Sequence, residues 1–169
     1  MDAYEAIVTK RDTREYEAQP VSEEHLRRIV QAGRMAGSSK DEQPIRLLIL
    51  TEQSDRDAIA TCGDFAEHVP RSPLVVVVVR MGDSRPFDAG RVAQNMMVAA
   101  HADGIASCPV GIQHDDCARE VLGLPADATV AMAVTFGYPP GGRIEGRGNR
   151  RIGLETFVRR GRWDGPAGL

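Results

Sequence analysis

Apolar and polar positions follow two different periods along this chain, and the changes of period mark its elements. Tyr4, Ile7 and Val8 share one face of a helix from Asp2 to Lys10. The polar stretch Arg11-Asp12-Thr13-Arg14-Glu15 follows, and Pro20 bars helix continuation. Ser22 is the expected N-cap of a second helix, with Glu23 and Glu24 on its positive dipole end and Val21 placed to staple onto Leu26. Leu26, Ile29 and Val30 repeat at helical spacing, carrying that helix to about Ala36, with Gly37 as its stop.

Beyond the loop Ser38 to Pro44, the run Leu47-Leu48-Ile49-Leu50 reads as a buried strand. Ser54-Asp55-Arg56-Asp57 opens a short helix that Gly63 closes. Leu74 to Val79 is the most β-branched run and predicts a central strand covered on both faces. Phe87 to Asp103 is the longest helix. Its apolar residues, Val92, Ala93, Met96, Met97, Ala99 and Ala100, occupy more than one stripe, so it should be nearly surrounded by protein. Strands over Ile105 to Ile112 and Ala131 to Phe136 bracket a helix from Asp115 to Leu122, which Gly123 and Pro125 end.

After Gly141 the pattern fades. Seven arginines follow (Arg143, Arg147, Arg150, Arg151, Arg159, Arg160, Arg162), with one short apolar patch at Leu154, Phe157 and Val158. Such a tail builds no core of its own and must lie on another surface or stay loose. The chain has 169 residues, 42% of them hydrophobic, enough for one domain without disulfide staples. The net charge of −3 argues against a surface made to grip nucleic acid. The apolar run Pro73 to Val79 is far too short to span a bilayer, and the N-terminus has no signal-peptide pattern. Cys62, Cys108 and Cys117, odd in number and widely spaced, suggest free thiols in a reduced, cytoplasmic protein. Cys108, His114 and Cys117 lack zinc-site spacing, so no metal site is assigned.

The familiar glycine-rich nucleotide loops, the G-x-S-x-G elbow and the H-E-x-x-H pair are all missing. Four segments carry the remaining chemistry. Lys10-Arg11-Asp12-Thr13-Arg14 offers guanidinium and hydroxyl donors suited to a phosphate dianion, although alone it also reads as a solvated turn. Small and hydroxyl residues in Ala36 to Pro44 allow close backbone approach to a flat polar ligand, or form a plain helix end and loop. Ser107-Cys108-Pro109-Val110-Gly111 ends a buried strand on a glycine that can present a bare N–H, with the apolar helix Phe87 to Asp103 behind it. Gly148-Asn149-Arg150-Arg151 is a second arginine site far along the chain.

In this order and spacing, Arg11-x-Thr13, Ser38-Ser39-x-Asp41-x-Gln43-Pro44, Ala93-Gln94-Asn95-Met96-Met97, Ser107 to Gly111, Leu122-Gly123-Leu124-Pro125, Gly137-Tyr138-Pro139 and Arg151 resemble the FMN-dependent nitroreductase family over about residues 4 to 164. The resemblance implies an α+β fold: a mixed, mostly antiparallel sheet flanked by helices. Residues 1–141 would form the FMN-binding core, and 142–169 an extension embracing the other subunit of a homodimer, with FMN at the interface. By the same resemblance, Arg11, Asp12 and Thr13 would touch the phosphate, ribityl chain and pyrimidine edge, and Arg150 or Arg151 would close on the phosphate. Gly37, Ser38, Ser39 and Asp41 would reach the flavin from the other subunit. Pro109, Val110 and Gly111 would line the isoalloxazine, with the Gly111 N–H near flavin N5.

The activity implied is hydride transfer from NAD(P)H through FMN to a nitroaromatic, quinone or other conjugated acceptor. No side chain is nominated as acid or base, because the cofactor carries the hard chemistry. Within the same fold, the alternatives are flavin fragmentation, a specialised dehydrogenase, a deazaflavin donor, or flavin binding without turnover. From another class, the arginine-rich tail suggests a polyanion-binding module, which the acidic chain and scarce tail aromatics disfavour. Two residues depart from the family pattern. Asp41 stands where asparagine is usual, and its charge would oppose flavin reduction unless Lys40 or Arg14 pairs with it. Ile45 stands where tryptophan is usual. The short segment between Arg80 and Phe87 also leaves little room for a covering insertion, so an open site is expected.

Overall fold

The valine run becomes the middle of the sheet. In the computed structural model, which describes residues 1–142 and 151–168, the strands are β1 (Ile45–Leu50), β2 (Leu74–Met81), β3 (Ala106–Val110) and β4 (Ala128–Gly137). Their order is β1-β2-β4-β3, and every ladder is antiparallel. Side chains alternate across a strand, so β2 feeds two cores. Val75, Val77 and Val79 pack with α3 (Gln53–Ala60) and α5 (Asp115–Leu122), whereas Leu74, Val76 and Val78 pack with α2 (Glu23–Arg34) and α4 (Pro86–Ala102). Coverage on both faces is what the unbroken apolar run predicts.

Local signals set several boundaries. Ser22 caps α2 by accepting from the His25 N–H at 3.2 Å, and Arg34 rather than Ala36 is its last helical residue. Asp2 caps α1 (Ala3–Thr9) in the same way, accepting from the Glu5 N–H at 2.8 Å. Gly123 closes α5 at φ 61°, in the left-handed region that glycine enters without a Cβ penalty.

The expectation that α4 is nearly surrounded needs correction. Val92, Ala93, Met96, Met97 and Ala100 are buried, but Arg91, Gln94 and Asn95 are exposed. Val98, Ala99 and Ala102 line an open apolar groove with Ala6 and Ile7 of α1 and Ala32 of α2. The extra apolar stripe exists, and no other part of the described chain covers it. No helix among the described residues is long and apolar enough to cross a membrane.

Residues 12–17 form a strap along the β3–β4 edge. Asp12 bridges Ser107 in parallel, Thr13 N–H donates to the Ser107 carbonyl at 3.2 Å, and Glu17 N–H donates to the Tyr138 carbonyl at 2.8 Å. That parallel bridge is the mixed element of an otherwise antiparallel sheet. The Tyr16 hydroxyl donates to the Thr13 carbonyl at 2.8 Å and lies 2.6 Å from Thr135 Oγ1, which in turn donates to the Cys108 carbonyl at 3.1 Å. Burial holds the Tyr16 phenol well above its usual range, so it stays a neutral tether.

Free thiols at all three cysteines, expected from their spacing, are also corrected. Packing of α3 against α5 brings Cys62 and Cys117 to a Cα separation of 5.5 Å, and they form a disulfide across 55 residues, leaving Cys108 as the buried free thiol. Closing a loop of that length constrains the unfolded chain by about 4 kcal/mol.

Two histidines are buried with incomplete partners. His68 and His101 are each held below their ordinary value of 6.5, first by desolvation and then by nearby cations: Arg14 and Arg71 for His68, Lys10 and Arg11 for His101. The unfolded chain therefore binds more protons than the folded one just below pH 6.5. Unfolding free energy should fall as pH drops below that value and level off above it. Urea titrations from pH 5.5 to 8 will test this, and the His68→Phe/His101→Leu double variant should show a flatter profile.

Candidate functional site

Strap residues 10–14 meet the end of β3, and the meeting is polar. Lys10 Nζ pairs with the Asp12 carboxylate and lies 3.4 Å from Met97 Sδ, although the rest of its side chain is nearly buried. Arg11 folds its guanidinium back over the end of α1, donating to the carbonyls of Val8 at 2.9 Å and Lys10 at 2.8 Å. The exposed Arg14 guanidinium acts on Cys108, His68 and Tyr16. One carboxylate thus sits among three cations. The cluster keeps a net positive field suited to an anion.

Several buried polar atoms around this cluster have no partner: Ser107 Oγ, His101 Nδ1 and both ring nitrogens of His68. Thr9 Oγ1 donates to the Glu5 carbonyl at 2.6 Å, so it must accept from His101 Nε2 at 2.9 Å, leaving Nδ1 a bare acceptor. Each orphan costs roughly 1–3 kcal/mol. Native folds tolerate such groups mainly where strain, water or a ligand accounts for them.

The exposed Gly111 follows the last residue of β3. Val110 points its side chain into the core, so only its backbone faces the site, while Pro109 is half-buried. A Cβ on Gly111 would meet Gln113 Nε2 at 2.6 Å, and a Cβ on Gly63 would meet the Gly111 carbonyl at 2.9 Å. The two backbones approach closely here because Gly63 lacks a Cβ, while the space beside Gly111 is taken by the Gln113 side chain.

The other polar loop lies at the far end of α4. The Arg91 guanidinium fills the space against Gly37, where a Cβ would fall 2.3 Å from Nη2. Ser38 Oγ donates to Asp88 Oδ2 at 3.2 Å and accepts from the Gln43 N–H at 2.9 Å. Ser39 begins a single tight turn ending at Asp41. Lys40, Asp41 and Gln43 sit at φ 52°, 56° and 47°, three side-chain-bearing residues in the left-handed region. Such strain persists only where the surroundings hold it, and it clusters at functional loops. The Asp41 carboxylate accepts from Gln43 Nε2 at 2.7 Å; neither Lys40 nor Arg14 is its hydrogen-bond partner. Ile45 starts β1 opposite Arg80 and packs partly into the core.

The two polar ends do not meet within one chain. Asp88 holds one and His101 the other, and thirteen residues of helix separate them by about 20 Å. Arg151 opens the described tail and is exposed, whereas Arg150 lies outside the described residues. Lys10, Arg14, Ser107, His68 and His101 extend the set beyond the nominated residues. The first three stand in the donor-rich segments Lys10 to Arg14 and Ser107 to Gly111; a buried histidine has no local pattern to betray it.

Comparison with known proteins gives the family and the fold. The Nitroreductase family profile matches residues 7–80 and 65–138. The chain is 26% identical to an NADPH-flavin oxidoreductase of Vibrio harveyi over 155 residues, covering 80% of this chain and 65% of that one. Its fold superposes with a TM-score of 0.79 on an FMN-dependent nitroreductase from Clostridium difficile (21% identity, 86% of this chain, 91% of the other). A Vibrio harveyi NADPH:FMN oxidoreductase, solved with NAD+, gives a TM-score of 0.85 (22% identity, 95% and 77%). With an α+β fold and a profile match across most of its length, the chain belongs to the Nitroreductase family.

Proposed function

We propose that this chain is an FMN-dependent oxidoreductase that takes a hydride from NADH or NADPH and passes the electrons to a nitroaromatic, quinone or other conjugated acceptor. The observation carrying this reading is the separation of two polar clusters by the length of α4, which lets them share one ligand only when a second copy contributes one of them. The relatives named for flavin and nicotinamide chemistry support the same reading. FMN would supply the hydride-accepting ring.

The chain's own residues supply its binding. Lys10, Arg11 and Arg14 neutralise a phosphate dianion, with Thr13 adding a hydroxyl. Asp12 holds Lys10 in place and reaches toward the ribityl hydroxyls. The buried acceptor His101 Nδ1 and the hydroxyl of Ser107 suit a polar ligand bearing hydroxyl and N–H groups. Pro109 and the Val110 backbone flank a flat ring, and Gly111 offers it an unobstructed N–H. Gly37, Ser38, Ser39 and Asp41 of the second copy, with Arg150 or Arg151, complete the enclosure. An unpaired Asp41 charge beside the ring would disfavour its electron-rich reduced form. The cytoplasm, where reduced nicotinamides are regenerated, is the setting we assign.

In the homodimer we propose, the open groove between α1 and α4 is covered, and the extension from residue 142 onward lies on the partner. Its residues 151–168, including α6 (Leu154–Phe157), expose Leu154, Phe157 and Trp163, and every hydrogen bond they make among the described residues is internal.

Five measurements test these assignments. The purified protein should be yellow and should bleach on anaerobic mixing with NADH or NADPH; colourless protein that fails to take up FMN would overturn the proposal. Arg14→Ala and Arg11→Ala should each weaken FMN binding about 10-fold through loss of a charge-assisted contact, read by fluorescence titration. Asp41→Asn should raise the reduction potential of the bound flavin, measured against a reference dye. For the assembly, light scattering should give the mass of two chains, and the emission of Trp163, the chain's single tryptophan, should shift to the red on dilution into monomers.

A further inference from the structure

Two loops are clasped beside Gly111. The His114 N–H donates to the Cys62 carbonyl at 3.0 Å, the Asp64 N–H donates to Gln113 Oε1 at 2.9 Å, and His114 Nε2 lies 2.9 Å from Asp64 Oδ1. The His114–Asp64 pair is about half exposed on both sides, at 54% and 53%, so it holds the loops weakly. The strong link is covalent. The Cys62–Cys117 bridge ties the segment after α3 to the first turn of α5, with residues 111–114 strung between that helix and β3.

We propose that Cys62–Cys117 is a thiol–disulfide exchange site for dithiol reductants, entered at Cys117, and that its redox state sets how firmly the 111–114 segment presents Gly111. The two sulfurs differ in access. Cys62 is fully buried, whereas Cys117 is partly exposed at the helix start, so attack is directed to Cys117 Sγ. A thiolate of the dithiol bonds to Cys117 Sγ and breaks the bond to Cys62, which takes up a proton and becomes a buried thiol with the Ala58 carbonyl 3.9 Å away. The second thiol of the reductant then closes its own disulfide and releases Cys117 as a thiol. Two electrons and two protons pass from the dithiol to the protein bridge. Cys108, buried elsewhere in the sheet, takes no part.

The energetic consequence follows from loop closure. With the bridge open, the loops keep their hydrogen bonds and the core packing of Ile112 but lose their covalent tie, so residues 111–114 sample more conformations, and a ligand needing the Gly111 N–H must order them on binding. Disulfides in reducing compartments are characteristically transient, which fits an exchange site better than a permanent staple. The consequence for flavin rests on the FMN reading above; the exchange itself does not.

The test uses the intact protein, oxidised in air and then treated with dithiothreitol under native conditions. Thiol titration should show one new reactive thiol, Cys117, after native reduction and a second, Cys62, once the reduced protein is unfolded, with circular dichroism of the native protein unchanged. Amide exchange at residues 111–114 should quicken, and FMN should bind about 5-fold or more weakly to the reduced form. The Cys62→Ser/Cys117→Ser variant should match the reduced protein and ignore dithiothreitol, which separates the bridge from any direct action on flavin. A bridge that opens only on unfolding, or exchange at 111–114 indifferent to reduction, overturns the proposal. Unchanged FMN affinity with altered exchange overturns the link to the ligand. Failure to bind FMN in either state would count against the cofactor reading, while the thiol and exchange measurements would still decide the latch.

Discussion

A helix of 17 residues imposes the constraint on which the architecture turns, because α4 is too long for its two ends to serve one small ligand within a single chain. At its start, Asp88 and Arg91 hold the strained loop of Gly37 to Gln43. At its end, Met97 and His101 back the cationic strap of Lys10 to Arg14. The helix is anchored by packing with α2, β2 and β3, and its remaining apolar stripe is open. One element therefore sets the spacing of the polar clusters and also offers the surface through which a second copy would bring complementary clusters together.

The electrostatics of the strap are less simple than a basic patch. Asp12 consumes part of the Lys10 charge, and Arg11 spends two donors on carbonyls at the end of α1, where a cation complements the helix dipole. Arg14 is the least committed of the three by hydrogen bonding, yet it sits where it lowers the proton affinity of His68. The orphaned atoms of Ser107, His68 and His101 lie around the same few residues, so the fold concentrates its unmet hydrogen-bonding capacity there.

Much of this frame was legible in the residues. Leu74 to Val79 announced a strand covered on both faces, and Ser22 with Glu23 and Glu24 announced the start of α2. Boundaries set by pairing were harder to read. β1 begins at Ile45 because the ladder continues to Arg80, and β4 reaches back to Ala128 because Met81 is there to pair with it. The apolar stripe of Val98 and Ala99 was visible, but periodicity cannot say whether an apolar face is covered by its own chain or by another. The cysteine pair was invisible for a related reason: 55 residues of separation carry no distance until α3 packs on α5. At the site, the strap and the Gly111 terminus were readable as donor chemistry, whereas the distance along α4 and the unmet histidine nitrogens arise only from packing.

The C-terminal segment has a consequence of its own. Arg159 bridges Ala167, the Gly168 N–H reaches the Val158 carbonyl at 3.1 Å, and the Arg160 N–H reaches the Pro166 carbonyl at 3.0 Å. These cross-links shape residues 158–168 into a small self-bonded hook bearing Trp163 at its bend. Were it to seat on another surface, a preshaped hook would surrender less chain entropy than a limp tail, so its grip could rest on a few aromatic and aliphatic anchors rather than a long contact.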